Sequence, residues 1–137
     1  MDWKLELVVV PVSDIDRAKD FYVDKVGFDV LVDHSAGEDF RVVQLTPPGS
    51  ACAIALMRNE EAGGSLQGLH LIVDDIEAAR AQLIGAEVDC SELFHFEEGA
   101  QRPGPDPARG DYNTFLSFSD PEGTGWLVQE VRGAAPA

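Results

Sequence analysis

The sequence predicts an α+β fold: two tandem β-α-β-β-β modules whose curved mixed sheets enclose a shared cavity. Three observations carry that prediction. The stretch at 68–83, GLHLIVDDIEAARAQL, reads as strand, tight turn and helix. An apolar run gives way to two aspartates that can cap a first helical turn, and Ile76, Ala79 and Leu83 then recur at helical spacing. The same pattern occurs earlier without a gap, Val12 standing to Val73, Asp14 to Asp75, Ile15 to Ile76 and Ala18 to Ala79. Each strand-turn-helix is followed by three more strand-like segments, so one unit is written twice. A hollow between two curved sheets suits a small molecule.

Taken in order, residues 5–12 are apolar and β-branched, as a strand covered on both faces should be, and Pro11 suits its end. A helix is expected over 14–24, closed by Lys25-Val26-Gly27 with Gly27 in the left-handed conformation. A strand at 28–32, a polar loop at 33–39 and a strand at 40–46 follow. Pro47-Pro48-Gly49-Ser50 is a turn. The strand at 51–57 puts Ala51, Ala53 and Ala55 on one face. A glycine-containing linker at 58–64 hands over to the second module, which repeats the strand around His70 and the helix from Ile76 to Gly85. Residues 87–94 are strand-like. Residues 96–112, FEEGAQRPGPDPARGDY, are too rich in Pro, Gly and charge for a core element and read as a functional or mobile loop. A strand at 114–119, a turn at 120–123, a strand at 125–131 and a frayed tail at 132–137 complete the chain. The whole is a single domain, 1–137, with module one at about 4–60 and module two at about 66–132.

Composition narrows the function. With 45% hydrophobic and 26% charged residues the chain is globular. Twenty-five acidic against 10 basic residues give a net charge of −15, a field that repels nucleic acid and anionic membranes alike. No apolar run approaches the length of a membrane helix, and the N-terminus lacks a basic start and a cleavage site. The expected location is cytoplasmic, with Cys52 and Cys90 as free thiols.

The double β-α-β-β-β pattern, the segment VPVSDIDRAKDFYVDKVGF, its echo VDDIEAARAQL and the late DPEGTGWLVQEV together resemble the vicinal-oxygen-chelate superfamily, the glyoxalase, bleomycin-resistance and extradiol-dioxygenase group. The resemblance runs over 5–131 and implies the fold above, a small organic ligand and a homodimer. Metal enzymes of this superfamily hold a Lewis-acid metal with a His or Glu on the first and last strand of each unit. Carried over, those positions fall on Leu7, on Ala53 or Ala55, on Gly68 and on Leu127. A shift of two residues gives Val9, Ala55, His70 and Gln129. The first set has no donor, and the second has one imidazole and one amide, short of the three protein ligands a catalytic zinc needs. The expectation is a lost metal site and no cofactor.

Among the remaining polar residues His70 stands out, between Leu69 and Leu71 on a strand and on the cavity side. It can contact a ligand, act as a general base, or be a neutral core histidine satisfied by a partner. Gln129 either orients a ligand in the pocket floor or bridges strands, and Gln44 has the cavity as its outlet. His95, between Phe94 and Phe96, either closes over a flat ligand or shields the sheet edge, and the same two roles are open to Tyr112. His34 is expected to be solvated, Trp126 to be core, and Glu130 to point away from the cavity. Leu7 and Ala55 supply apolar lining. No nucleophile triad, phosphate loop or dinucleotide fingerprint is present.

Three functions remain open at this stage. The first is a metal-independent protein binding a small organic molecule in an apolar cavity. The second is a cofactor-independent lyase, isomerase or cyclase moving a proton with a histidine. The third is a metal-dependent glyoxalase- or dioxygenase-type enzyme, against which the ligand positions argue.

Overall fold

A computed structural model describes residues 1–133; the last four residues of the expected tail lie outside the described residues. The contacts divide the chain into two compact units. Unit one is Met1–Leu66 together with the turn Asp120–Thr124, and unit two is Gln67–Ser119 together with the described residues from Gly125 to Gly133.

Unit one begins with β1 (Leu7–Val12) and α1 (Ile15–Asp20), which runs on into a wider π-helical turn at Phe21–Val26. Asp14 caps α1 as the sequence requires, its carboxylate accepting the Arg17 N–H at 3.1 Å. The π turn replaces the plain helix expected to residue 24. The Tyr22 carbonyl accepts the N–H groups of both Gly27 and Phe28, and Gly27 leaves the helix at φ 89°. The added residue in that turn lets adjacent Phe21 and Tyr22 both stay buried. Then come β2 (Asp29–Ala36), β3 (Phe40–Thr46) and β4 (Ala53–Arg58), in a sheet ordered β1-β4-β3-β2 with β1 and β4 parallel. β2 runs through the expected polar loop because Asp33 on it is bonded by Lys19 of α1 (2.8 Å) and Arg41 of β3 (2.9 Å). Val10, Val12, Val43, Leu45 and Leu56 form the core of this unit with Ala18 and Tyr22.

Unit two repeats the start with β5 (Leu69–Val73) and α2 (Ile76–Gly85), capped by Asp75 on the Ala78 N–H at 3.0 Å. After it come β6 (Phe94–Glu97), β7 (Ala100–Pro103), β8 (Phe115–Ser119) and β9 (Gly125–Glu130), in the order β5-β9-β8-β6-β7. Two sequence expectations are corrected here. Residues 87–94 contribute only an isolated bridge from Cys90 to Phe118 before β6 begins. The long stretch at 96–112 is not all loop: it contains the β6–β7 hairpin, closed by Glu98 at φ 51° and Gly99 at φ 79°. Two successive left-handed residues make a turn whose twist matches its strands. Trp126 is buried on the face shared with Phe118, against which it stacks at 6.0 Å.

Candidate functional site

Strand alternation sorts the candidate residues of each unit. In unit one Leu7 pairs with Ala53, and Val9 pairs with Ala55, which pairs in turn with Gln44 and through it with Val32. Val10 and Leu56 occupy the opposite, core face. The structure therefore brings Gln44 beside Ala55, Val9 and Val32 on one sheet face, with His34 two residues along on the same face. Val9 is 47% exposed there, whereas Ala55 is buried.

In unit two the ladder sets His70 beside Leu127 and Ser117, and Ile72 beside Gln129, Phe115 and Phe94. His70 and Gln129 thus lie on one sheet face in adjacent rows. The register also settles an equivalence. Ala55 sits beside Val9 as Leu127 sits beside His70, so Leu127 corresponds to Ala55, and Gln129 to Met57. His70 is exposed, and its Nδ1 lies 2.6 Å from the Gly68 carbonyl. A carbonyl only accepts, so Nδ1 carries the hydrogen and the Nε2 lone pair of the neutral ring is left for another group. Phe94, Phe96 and Phe115 cluster on the same face, with ring centres 5.5–6.1 Å apart.

The remaining candidates fall elsewhere. His95 alternates with Phe94 and is 4% exposed. It donates from Nδ1 to the Gly104 carbonyl at 2.8 Å, while its buried Nε2 has no hydrogen-bond partner. Tyr112 has φ 64° and donates its backbone N–H to the Glu130 carbonyl, so its main chain re-enters the sheet while its ring is 58% exposed. His34 is exposed on β2, as expected of a solvated residue, though on a strand rather than in a loop.

Sequence reasoning placed Glu130 away from the cavity but missed what it does. It is 1% exposed, accepts the Ile76 N–H at the start of α2 (3.0 Å) and accepts from Arg109, whose Nη2 reaches both carboxylate oxygens at 3.1 Å and whose Nε reaches one of them at 3.3 Å. Arg109 in turn reaches Glu77 at 2.8 Å. An acid closing the apolar run LVQE was the available signal. In unit one the DPEG turn does parallel work: Tyr22 donates to Asp120 at 2.7 Å, and Glu122 accepts from the Ser13 N–H, the Ser13 hydroxyl and Arg17. The acidic residues of the DPEGTGWLVQEV segment are therefore structural. Burial pushes the Glu122 carboxyl up, but those three donors together hold it below its ordinary value.

The metal positions can be tested by their donors. Unit one offers Leu7 or Val9 and Ala53 or Ala55, which have only carbon. Unit two offers Gly68 or His70 and Leu127 or Gln129. Among the described residues no group of three His, Cys, Asp or Glu side chains could hold a metal ion. This donor set does not fit a resident metal.

A profile of the Glyoxalase/Bleomycin resistance protein/Dioxygenase superfamily matches residues 4–128. The chain belongs to that superfamily. Among solved structures, this superfamily member resembles TnmS3, an antibiotic binding protein from Streptomyces sp. CB03234, at 32% identity and a TM-score of 0.74, over 94% of this chain and 96% of the other. It also resembles a glyoxalase/bleomycin resistance protein from the same organism at 33% identity and a TM-score of 0.71, over 93% and 100% of the two chains. The uncharacterized protein YetH of Bacillus subtilis strain 168 is 26% identical over 127 residues, 90% of this chain and 94% of its own. No helix among the described residues is long and apolar enough to cross a membrane.

Proposed function

We propose that this chain binds a small organic molecule without a resident metal. One observation carries the reading: the superfamily's metal positions hold Leu, Val, Ala or Gly wherever they do not hold His70 or Gln129. An apolar sheet face bearing a few hydrogen-bonding groups is suited to hold a ligand by area and to orient it by contact. Leu7, Ala55 and Gln44 supply that combination in unit one, and His70, Leu127 and Gln129 in unit two. The likeness to TnmS3, described as an antibiotic binding protein, supports binding as the activity. The superfamily's habit of pairing supports a homodimer.

Native mass spectrometry of protein purified without a metal-affinity tag, compared with the denatured mass, tests the reading. An organic adduct or a bare chain is expected. One transition metal per chain would overturn it.

A second reading has its own observation. The Gly68 carbonyl fixes His70 with its Nε2 lone pair outward, the arrangement a general base requires. In that case the protein is a cofactor-independent lyase, isomerase or cyclase. A His70→Ala variant separates the two. Retained binding with turnover lost by about 100-fold or more points to proton transfer. Weakened binding with no turnover in either form points to a binder.

A further inference from the structure

We propose that unit two carries a recess for the carboxylate of an amphiphilic organic acid, with Arg102 as its anchor. The proposal rests on the reading of the chain as a small-molecule binder and names the class of molecule bound.

Acidic residues outnumber basic ones 25 to 10, so an arginine on this protein rarely lacks a carboxylate. Arg17, Arg41, Arg58, Arg80, Arg109 and Arg132 each have one within ion-pair distance. Among the described residues Arg102 alone of the arginines has none. It lines a cavity of about 520 Å³ at the mouth of the β6–β7 hairpin, with Ser91, Leu93, Phe94, Gln101 and Ser117.

The polar groups of this cavity are mostly committed, and each of those left over can donate. Glu92, its one carboxylate, turns to Arg80 at 3.2 Å. The Ser91 hydroxyl is held between the Glu92 carbonyl, to which it donates, and the Ser117 N–H, from which it accepts. What remains is the Arg102 guanidinium, the Gln101 amide and the Ser117 hydroxyl. A guanidinium fork matches a carboxylate in shape and charge. Leu93, Phe94 and Pro103 supply an apolar wall for the body of the ligand. Phe94 and Gln101 of this lining belong to the sheet face that carries His70, whereas Arg102 pairs with His95 and leaves the edge strand β7 on the opposite face, so the cavity lies at the sheet edge where the two faces meet. A net charge of −15 discourages anions from gathering loosely on this surface, so an anion held here needs a specific cation to hold it.

Calorimetric titration of the full chain with 1-naphthoate and with neutral 1-naphthamide tests the proposal. Naphthoate should saturate, with naphthamide weaker by about 10-fold or more, as expected when a charge-assisted contact is lost. Arg102→Gln should bring naphthoate down to the level of the amide, and Arg102→Lys should keep part of the difference. Equal affinities for the two probes, an unchanged Arg102→Gln titration, or no naphthoate binding at millimolar concentration would each overturn it. If the two probes bind alike, are indifferent to Arg102→Gln and are lost in Gln129→Leu, small-molecule binding stands without the acid-specific recess. A stoichiometric metal found by native mass spectrometry would sink the wider reading whatever Arg102 does.

Discussion

Glu130 shows what a single side chain holds in this protein. Its carboxylate is buried between the first N–H of α2 and the Arg109 guanidinium. Replacing it with alanine leaves a buried N–H unmatched and leaves Arg109 with Glu77 as its remaining carboxylate partner. Since Arg109 is itself 27% exposed, solvent recovers part of the loss, and Glu130→Ala should cost about 2–4 kcal/mol in urea unfolding. A second prediction concerns Glu122. Its folded-state pKa lies below the ordinary glutamate value of 4.5, so the stability it contributes is present above pH 4.5 and is lost as pH falls through the folded value. Unfolding midpoints measured from pH 7 to pH 3 should therefore show Glu122→Gln less stable than the parent at neutral pH, with the gap closing in acid. A gap independent of pH would refute the ionic account. At this scale little of the wiring was legible. Alternation alone put His70 and Gln129 on one face and Trp126 and Glu130 on the other. It could not say that Glu130 finds Arg109 or that Tyr22 finds Asp120, because those partners are brought together only by the fold.

Elements were easier to read where a local rule decided them. Both helix starts follow from Asp14 and Asp75, and Asp75→Ala should cost about 1 kcal/mol, readable as a lower thermal midpoint. Gly27 ends its helix left-handed as the sequence requires. β7 was not legible, because Ala100-Gln101-Arg102-Pro103 has poor strand propensity and its turn uses Glu98-Gly99 in place of the usual Asn-Gly. The length of β2 was hidden for a related reason: its polar half is held by ion pairs rather than by burial. The linker into the second module is more constrained than its composition suggests. Gly64 has φ 79°, and a methyl group built on it would fall on the Glu122 carbonyl. Gly64→Ala should therefore destabilise unit one by about 2 kcal/mol or more, whereas Gly37→Ala, with open space around it, should cost only its backbone strain.

For the whole molecule, the internal repeat was sufficient to predict two helices and two mixed sheets, because a gapless repeat of strand, cap and helix leaves few topologies. The ligand was not legible in the same way, since binding depends on which side chains the register sets side by side, and a two-residue slip changes every one of them. Arg102 illustrates the difficulty. In the sequence it is one charge in an irregular stretch, and only the accounting of its neighbours sets it apart.

Unit one is assembled from distant parts of the chain, since Asp120–Thr124 belongs with Met1–Leu66. The Tyr22 hydroxyl and the Ser13 N–H both find acceptors on that turn. A fragment of residues 1–66 should accordingly lack cooperative unfolding and bind a hydrophobic dye. On a ribosome, where the chain emerges from its N-terminus, the first half cannot finish ahead of the second. The nascent protein must be translated past residue 120 before that tyrosine meets its acceptor, and a premature stop anywhere before residue 120 yields no working half.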